Sequence, residues 1–287
     1  MAWTLERWAV PVTRRIRWVA NLSLLFVEEG PLDRPAAAAA EGFTEVECWW
    51  PFGANASPTP SQVAAFTRSI ERSGTQLTAM NLFGGPPGAR GVVSDPSHTD
   101  AFRHSVGIAM AIGRRLGTRL FNAPFGNRIA VLKPHVQADT ARENLAFAAR
   151  AAAEIGATIM IEPLSDLEPG MPEFPLRTAR DAVRVIDGLR DEAGISNVGL
   201  LLDQYHLMVN GADVVAEIDR YGDYVRHVQV ADVPGRGEPG SGHADIAAVI
   251  SALLSRGYEG AVALEYVPRR TTRESLLTWR RTLAHIT

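Results

Sequence analysis

An alternation repeated eight times constrains this chain most: a short apolar, partly β-branched run, then a stretch with helical periodicity. The first four runs are "RWVANLSLLF" from Arg17, "TEVECWW" from Thr44, "QLTAMNLF" from Gln76 and "TRLFNAP" from Thr118. The last four are "ATIMIEP" from Ala157, "VGLLLD" from Val198, "VRHVQVAD" from Val225 and "AVALEY" from Ala261. Between them lie Ala- and Arg-rich amphipathic segments such as "PSQVAAFTRSIERSG" and "TARENLAFAARAAAEIG". These run up to Gly74 and Gly156, where left-handed helix caps are expected. "PAAAAAEG" reads as one more short helix. Strands alternating with helices build right-handed βαβ units on a mainly parallel sheet. Eight units predict a single closed (β/α)8 TIM barrel. A doubly wound sheet is the rival, but no G-x-G-x-x-G turn follows the first strand.

The chain has 287 residues, 46% hydrophobic and 21% charged, an ordinary globular balance. A barrel of about 250 residues counts as one domain, so residues 17–287 are assigned to the barrel and residues 1–16 to an N-terminal extension. That extension has basic residues and tryptophans, but neither the apolar core nor the cleavage site of a signal peptide. The net charge of -3 gives no reason to expect nucleic acid or an anionic membrane as partner. No apolar run approaches the roughly 20 residues of a membrane span. Cys48 is the single cysteine, which excludes an internal disulfide and fits a reducing compartment. A cytoplasmic location is therefore expected.

The stretch "HVQVADVPGRGEPGSGHAD", from His227, invites two readings: a linker between domains, or a shaped loop. The seventh strand is expected to end near Asp232 and the next helix to start near Ala244. That makes the Gly/Pro-rich segment a βα loop, and βα loops form the catalytic face of a barrel. Gly235 and Gly237 permit sharp turns around Arg236. A guanidinium held there could grip a carboxylate in two-pronged fashion; the alternative is an exposed arginine in a mobile loop.

The last four strands each close on a polar residue: Glu162, Asp203, Gln229 and Glu265, spaced by about one βα repeat. Adjacent in a barrel, they would converge. Three carboxylates meeting in a half-buried place repel and raise at least one pKa unless a cation sits among them. An oxygen-only donor set favours a hard divalent ion, Mg2+ or Mn2+, over the N/S sites of zinc. Capping helices or pairing with arginine would explain any one of the four, but hardly all. His206, three residues after Asp203, is a candidate to contact a substrate oxygen or help move a proton. Glu47 is a further candidate for substrate contact, the alternative being a salt bridge at the barrel rim. Trp49 and Trp50 suit a pocket wall or the subunit interface of a homo-oligomer, with plain core packing the commonest fate of such residues.

The segments "RWVANLSLLF", "IEPLS", "LLDQYHLM", "HVQVADVPGRGEPGSG" and "LEYVP" resemble hydroxypyruvate isomerase and 2-oxo-tetronate isomerase, of the xylose isomerase-like TIM-barrel superfamily. The likeness runs from about Arg17 to the C-terminus and is most specific after Gly156. It implies isomerisation of a short 2-oxo acid, such as hydroxypyruvate to tartronate semialdehyde, through an enediolate. It also implies Glu162, Asp203, Gln229 and Glu265 as metal ligands, with the two glutamates carrying protons. His206, Arg236 and Asn81, the asparagine ending the third strand, are then substrate contacts. Sugar epimerases of the superfamily typically carry histidine in place of Gln229. Two departures, Met80 before Asn81 and Ser165 after "IEP", are expected to line the pocket and tune the substrate. Rival readings are a keto-sugar epimerase, an inosose dehydratase-like enzyme, and a non-catalytic carboxylate-binding protein. A metal-dependent endonuclease would need more histidines and a basic face.

Overall fold

The computed structural model describes residues 16–166 and 172–283. The N-terminal extension, Ile16 excepted, lies outside the described residues. Eight parallel strands close on themselves in chain order: β1 (Arg17–Asn21), β2 (Glu45–Cys48), β3 (Gln76–Asn81), β4 (Leu120–Asn122), β5 (Thr158–Ile161), β6 (Val198–Asp203), β7 (Val225–Val230) and β8 (Ala261–Leu264). The ring is completed by β8 against β1, pairing Ala263 with Val19. The helices around it are α1 (Arg34–Ala40), α2 (Pro60–Ser73), α3 (Thr99–Leu116), α4 (Pro134–Ala153), α5 (Ala179–Ala193), α6 (Gln204–Val209), α7 (Val214–Tyr221), α8 (Ile246–Ser255) and α9 (Thr272–Leu283). The chain folds as a single (β/α)8 TIM barrel.

Local chemistry sets the element ends. Before α2 the Thr59 hydroxyl accepts from the Gln62 amide while the Gln62 side chain accepts from the Thr59 amide, a reciprocal cap. Gly74 ends that helix at φ 73°, a left-handed conformation that costs glycine nothing. In the other amphipathic segment the helix ends earlier than expected, at Ala153, and Gly156 makes its left-handed turn three residues on, at φ 65°. The first strand is also shorter than its apolar run: after Asn21 the chain turns, with Leu25 N–H returning to the Asn21 carbonyl. Leu22 through Phe26 therefore belong to a loop. The seventh strand stops at Val230 and α8 begins at Ile246, capped by the Asp245 side chain accepting from Ala248 N–H.

The strands bury both faces, as parallel strands covered by helices do. Their outward side chains join the helices in one large core that includes Val46, Leu77, Met80 and Phe121. Their inward side chains include two small apolar clusters, Val19, Ala261 and Ala263 in one and Ala79, Met160 and Leu201 in the other. Met80 points to the helices, buried among apolar side chains, and does not line the cavity described below as was expected of it. Cys48 is buried and free. No helix among the described residues is long and apolar enough to cross a membrane.

Candidate active site

Every strand delivers a polar side chain within one residue of its C-terminal end. These are Asn21, Glu47, Asn81 and Asn122 from the first four strands and Glu162, Asp203, Gln229 and Glu265 from the last four. Strand register sets them level in pairs: Asn21 opposite Glu47, Asn81 opposite Asn122, Asp203 opposite Gln229. The C-terminal face opens into a cavity of about 400 Å³ that Glu162, Glu265, His206, Arg236 and Asn81 all line.

The loop after β7 is shaped. Asp232, at its base, accepts from the amides of Val233, Gly240 and Ala244, and its own amide donates to the Gly237 carbonyl. Gly235 and Arg236 are both left-handed, at φ 89° and 56°. A non-glycine residue at such a φ is uncommon and is held only by its surroundings. Here the Arg236 carbonyl accepts from Val267 N–H at 2.7 Å. Gly237 serves another purpose than a sharp turn, since a Cβ there would lie 2.5 Å from Ser241 Oγ. The result aims Arg236 inward. Its Nη2 donates to Asp203 Oδ2 at 2.9 Å and Glu265 Oε2 at 2.7 Å, and its Nε to the Glu265 carbonyl at 3.2 Å. Its Nη1 has no partner among the described residues.

Asp203 also caps α6, its Oδ1 accepting from the amides of Tyr205 and His206. Glu162 accepts from Asn122 Nδ2 at 2.7 Å. Glu265 Oε1 accepts from Trp49 Nε1 at 2.6 Å and Asn21 Nδ2 at 3.0 Å. His206 Nδ1 accepts from the Ser165 amide at 3.2 Å and lies 2.8 Å from Ser165 Oγ. In the neutral ring the proton is thereby placed on Nε2, which lies 3.7 Å from Asp203 Oδ2.

Burial drives the electrostatics. It pushes the Glu162 carboxyl up to about 8, reinforced by the negative charge of Asp203 and opposed by Arg236 and the Asn122 amide. Glu265 is likewise held well above the usual carboxylate range, by burial first and then by Asp203 and Glu162, against the pull of Arg236. Burial lowers His206 to about 4, helped by Arg236 and Arg90 and opposed by Asp203, so its ring is neutral near pH 7.

Glu162, Asp203 and His206 present ligand atoms all within 4.8 Å of one another. Gln229 Oε1 is buried with no hydrogen-bond partner, and a buried acceptor so left carries a cost that a cation or water removes. Two glutamates held above the acid range beside the Asp203 carboxylate, an unpaired amide oxygen and a guanidinium drawn between two of the acids fit a hard cation. The structure adds His206 to the neighbourhood of the four oxygen donors.

Glu47 does not reach the cavity wall. It lies inside the barrel, 2% exposed, accepting from Asn21 Nδ2 and Gln229 Nε2 at 2.8 Å each and paired with His227 Nε2. Asn21 and Asn122 were not singled out as site residues; the rule that exposed Glu162, a polar residue closing an apolar run, applies equally to both asparagines. Arg90, which lines the cavity and hydrogen-bonds the Ser165 carbonyl, carried no such signal. Trp49 and Trp50 both line the cavity.

The family model of the xylose isomerase-like TIM barrel matches residues 35–284. The chain belongs to that family. It is 41% identical over 266 residues to a Streptomyces coelicolor protein provisionally named a hydroxypyruvate isomerase, covering 92% of this chain and 95% of that one. It is 32% identical over 271 residues to the 2-oxo-tetronate isomerase of Cupriavidus necator, covering 91% and 96%. A solved structure from Brucella melitensis, described as an AP endonuclease of family 2, superposes with a TM-score of 0.79 at 29% identity, covering 93% of this chain and 98% of that one. Like those named relatives, this member of the xylose isomerase-like family is an isomerase.

Proposed function

We propose that the enzyme interconverts a 2-oxo-3-hydroxy acid and its 2-hydroxy-3-oxo isomer, hydroxypyruvate and tartronate semialdehyde being the simplest pair. One observation carries this reading: two glutamates from different strands face one cavity, both with carboxyls raised out of the acid range. A carboxylate near its pKa at working pH can take a proton and give it back. Glu162 and Glu265 are assigned to these two transfers. One removes the proton on C3, leaving an enediolate, and the other delivers a proton to C2. The neutral His206 donates from Nε2 to a substrate oxygen. Arg236, whose Nη1 is unpaired, receives the substrate carboxylate.

Glu162, Asp203, Gln229 and Glu265 would hold a divalent metal, Mg2+ or Mn2+, whose charge would offset the negative charge that develops on the substrate oxygens. The small net negative charge and the scarcity of histidine at the strand ends speak against a nuclease.

Proton NMR in D2O with hydroxypyruvate, comparing metal-loaded and chelated enzyme, tests the reading. Deuterium entering substrate carbon with tartronate semialdehyde accumulating is the expected result. Inversion at a carbon of a keto-sugar without carbonyl migration, and no exchange into any 2-oxo acid, would replace it with an epimerase.

A further inference from the structure

The cavity is divided by chemistry. The groups assigned to proton transfer and carboxylate binding come from the β5 to β8 side: Glu162, His206, Arg236 and Glu265. The side built by the loops after β2 to β5 is apolar, made by Trp49, Trp50, Leu82, Pro87, Pro124 and Leu164. The polar side chains mixed among them are already engaged. Trp49 Nε1 serves Glu265, Trp50 Nε1 serves the Asn55 carbonyl, and Ser165 Oγ is paired with His206. Arg90 spends Nε on Asn127, Nη1 on the Ser165 carbonyl and Nη2 on the Pro172 carbonyl, with its guanidinium over the Phe174 ring. Its charge already faces the Asp166 carboxylate at 3.7 Å, and one N–H remains on each of Nη1 and Nη2. Beyond the two remaining Arg90 N–H groups and the Ser165 hydroxyl, Asn81 is the polar side chain that this wall offers a ligand.

A polyhydroxylated tail would lose its water against the indole, leucine and proline faces and find few partners, and each unpaired buried hydroxyl costs free energy. A three-carbon acid would leave most of about 400 Å³ to water, since a water molecule occupies roughly 30 Å³ in the liquid. Cavities of this size more often enclose ligands well beyond three carbons.

We propose that the preferred substrate is a 2-oxo-3-hydroxy acid whose C3 carries a branched aliphatic or aromatic group, lodged against the tryptophan and leucine wall. The proposal rests on the isomerase reading above. The C3–H bond breaks and its proton goes to one glutamate; a C2–H bond forms with a proton from the other. The C3 hydroxyl gives up its proton and becomes the carbonyl, while the C2 carbonyl gains one and becomes the hydroxyl. C3 is oxidised by the electron pair that reduces C2, so no external oxidant or reductant enters.

The test is a substrate series on the metal-loaded enzyme: hydroxypyruvate, 2-oxo-3,4-dihydroxybutanoate, 3-hydroxy-4-methyl-2-oxopentanoate and 3-hydroxy-2-oxo-3-phenylpropanoate. The expected result is that kcat/KM for at least one apolar member exceeds both hydroxylated members by about tenfold or more, the discrimination a hydrophobic pocket gives for small apolar groups. Leu164→Asn should cut that preference by about tenfold. If hydroxypyruvate or the dihydroxy acid is turned over at least as well as both apolar members, the apolar substrate is wrong and the isomerase stands. If none of the four exchanges C–H for deuterium, the isomerase reading falls and takes this one with it.

Discussion

Glu265 gathers an indole, an amide and a guanidinium around one buried carboxyl. If it shuttles a proton, Glu265→Gln keeps most of the shape and removes the function. General acid–base catalysis is worth about 10²–10⁴-fold, so kcat should fall by at least about 10² while the far-ultraviolet circular dichroism is unchanged. Near-normal turnover in a steady-state assay would remove Glu265 from the mechanism. His206 supports a prediction about stability. Its folded pKa, about 4, lies below the ordinary 6.5, so below pH 6.5 the unfolded chain takes up a proton that the fold refuses. The His206 contribution to stability is therefore constant above pH 6.5 and declines as pH falls toward 4, by up to about 3 kcal/mol at 1.36 kcal/mol per unit. In chelated protein, His206→Asn should flatten that part of the pH profile in urea titrations. At this scale the sequence exposes residues that break a pattern. Glu162, Asp203, Gln229 and Glu265 interrupt apolar runs; Arg90 sits in a loop where polar residues are unremarkable, and Ser165 was placed at the pocket by the resemblance alone, so neither the place of Arg90 in the wall nor the contact of Ser165 with His206 could be read.

Among the elements, the loop after β3 shows how one side chain joins three segments. Arg90, left-handed at φ 51°, bonds to Asn127 in the loop after β4 and to the Ser165 and Pro172 carbonyls after β5. Ser165 in turn orients His206. Hydrogen bonds to charged groups are worth about 1.5–3 kcal/mol each, but an arginine that frees its loop also relieves strain, so Arg90→Ala should cost about 3 kcal/mol rather than the full sum. Hydrogen exchange should rise at residues 163–166 and 172–174 and stay unchanged around β1 and β8. Uniform exchange across the barrel would show that Arg90 is no clamp. Element order was legible because strand and helix periods differ. Element ends were less so: the first apolar run crosses from strand into loop without a change of composition, and only the return hydrogen bond at Asn21 marks the boundary.

Across the whole molecule, closure turns residues scattered along the chain into one site. The barrel was legible from eight repeats, whereas the inward layer of Glu47, Asn21, Gln229 and His227 depends on register, which periodicity alone does not reveal. That packing sets a last expectation. Glu162 has its folded pKa, about 8, above the ordinary 4.5, so its protonated form is the one the fold favours. The stability this supplies is complete below pH 4.5 and is lost as pH rises toward 8, where the carboxylates must ionise beside one another. A divalent cation binds the ionised form and releases protons on binding. Its stabilisation, about 2.7 kcal/mol at a hundred times its dissociation constant, should therefore grow between pH 6 and pH 8. Thermal midpoints measured with Mg2+ or Mn2+ against chelator at the two pH values should differ more at pH 8. An equal or smaller shift there would mean that the acids at the strand ends do not hold the metal.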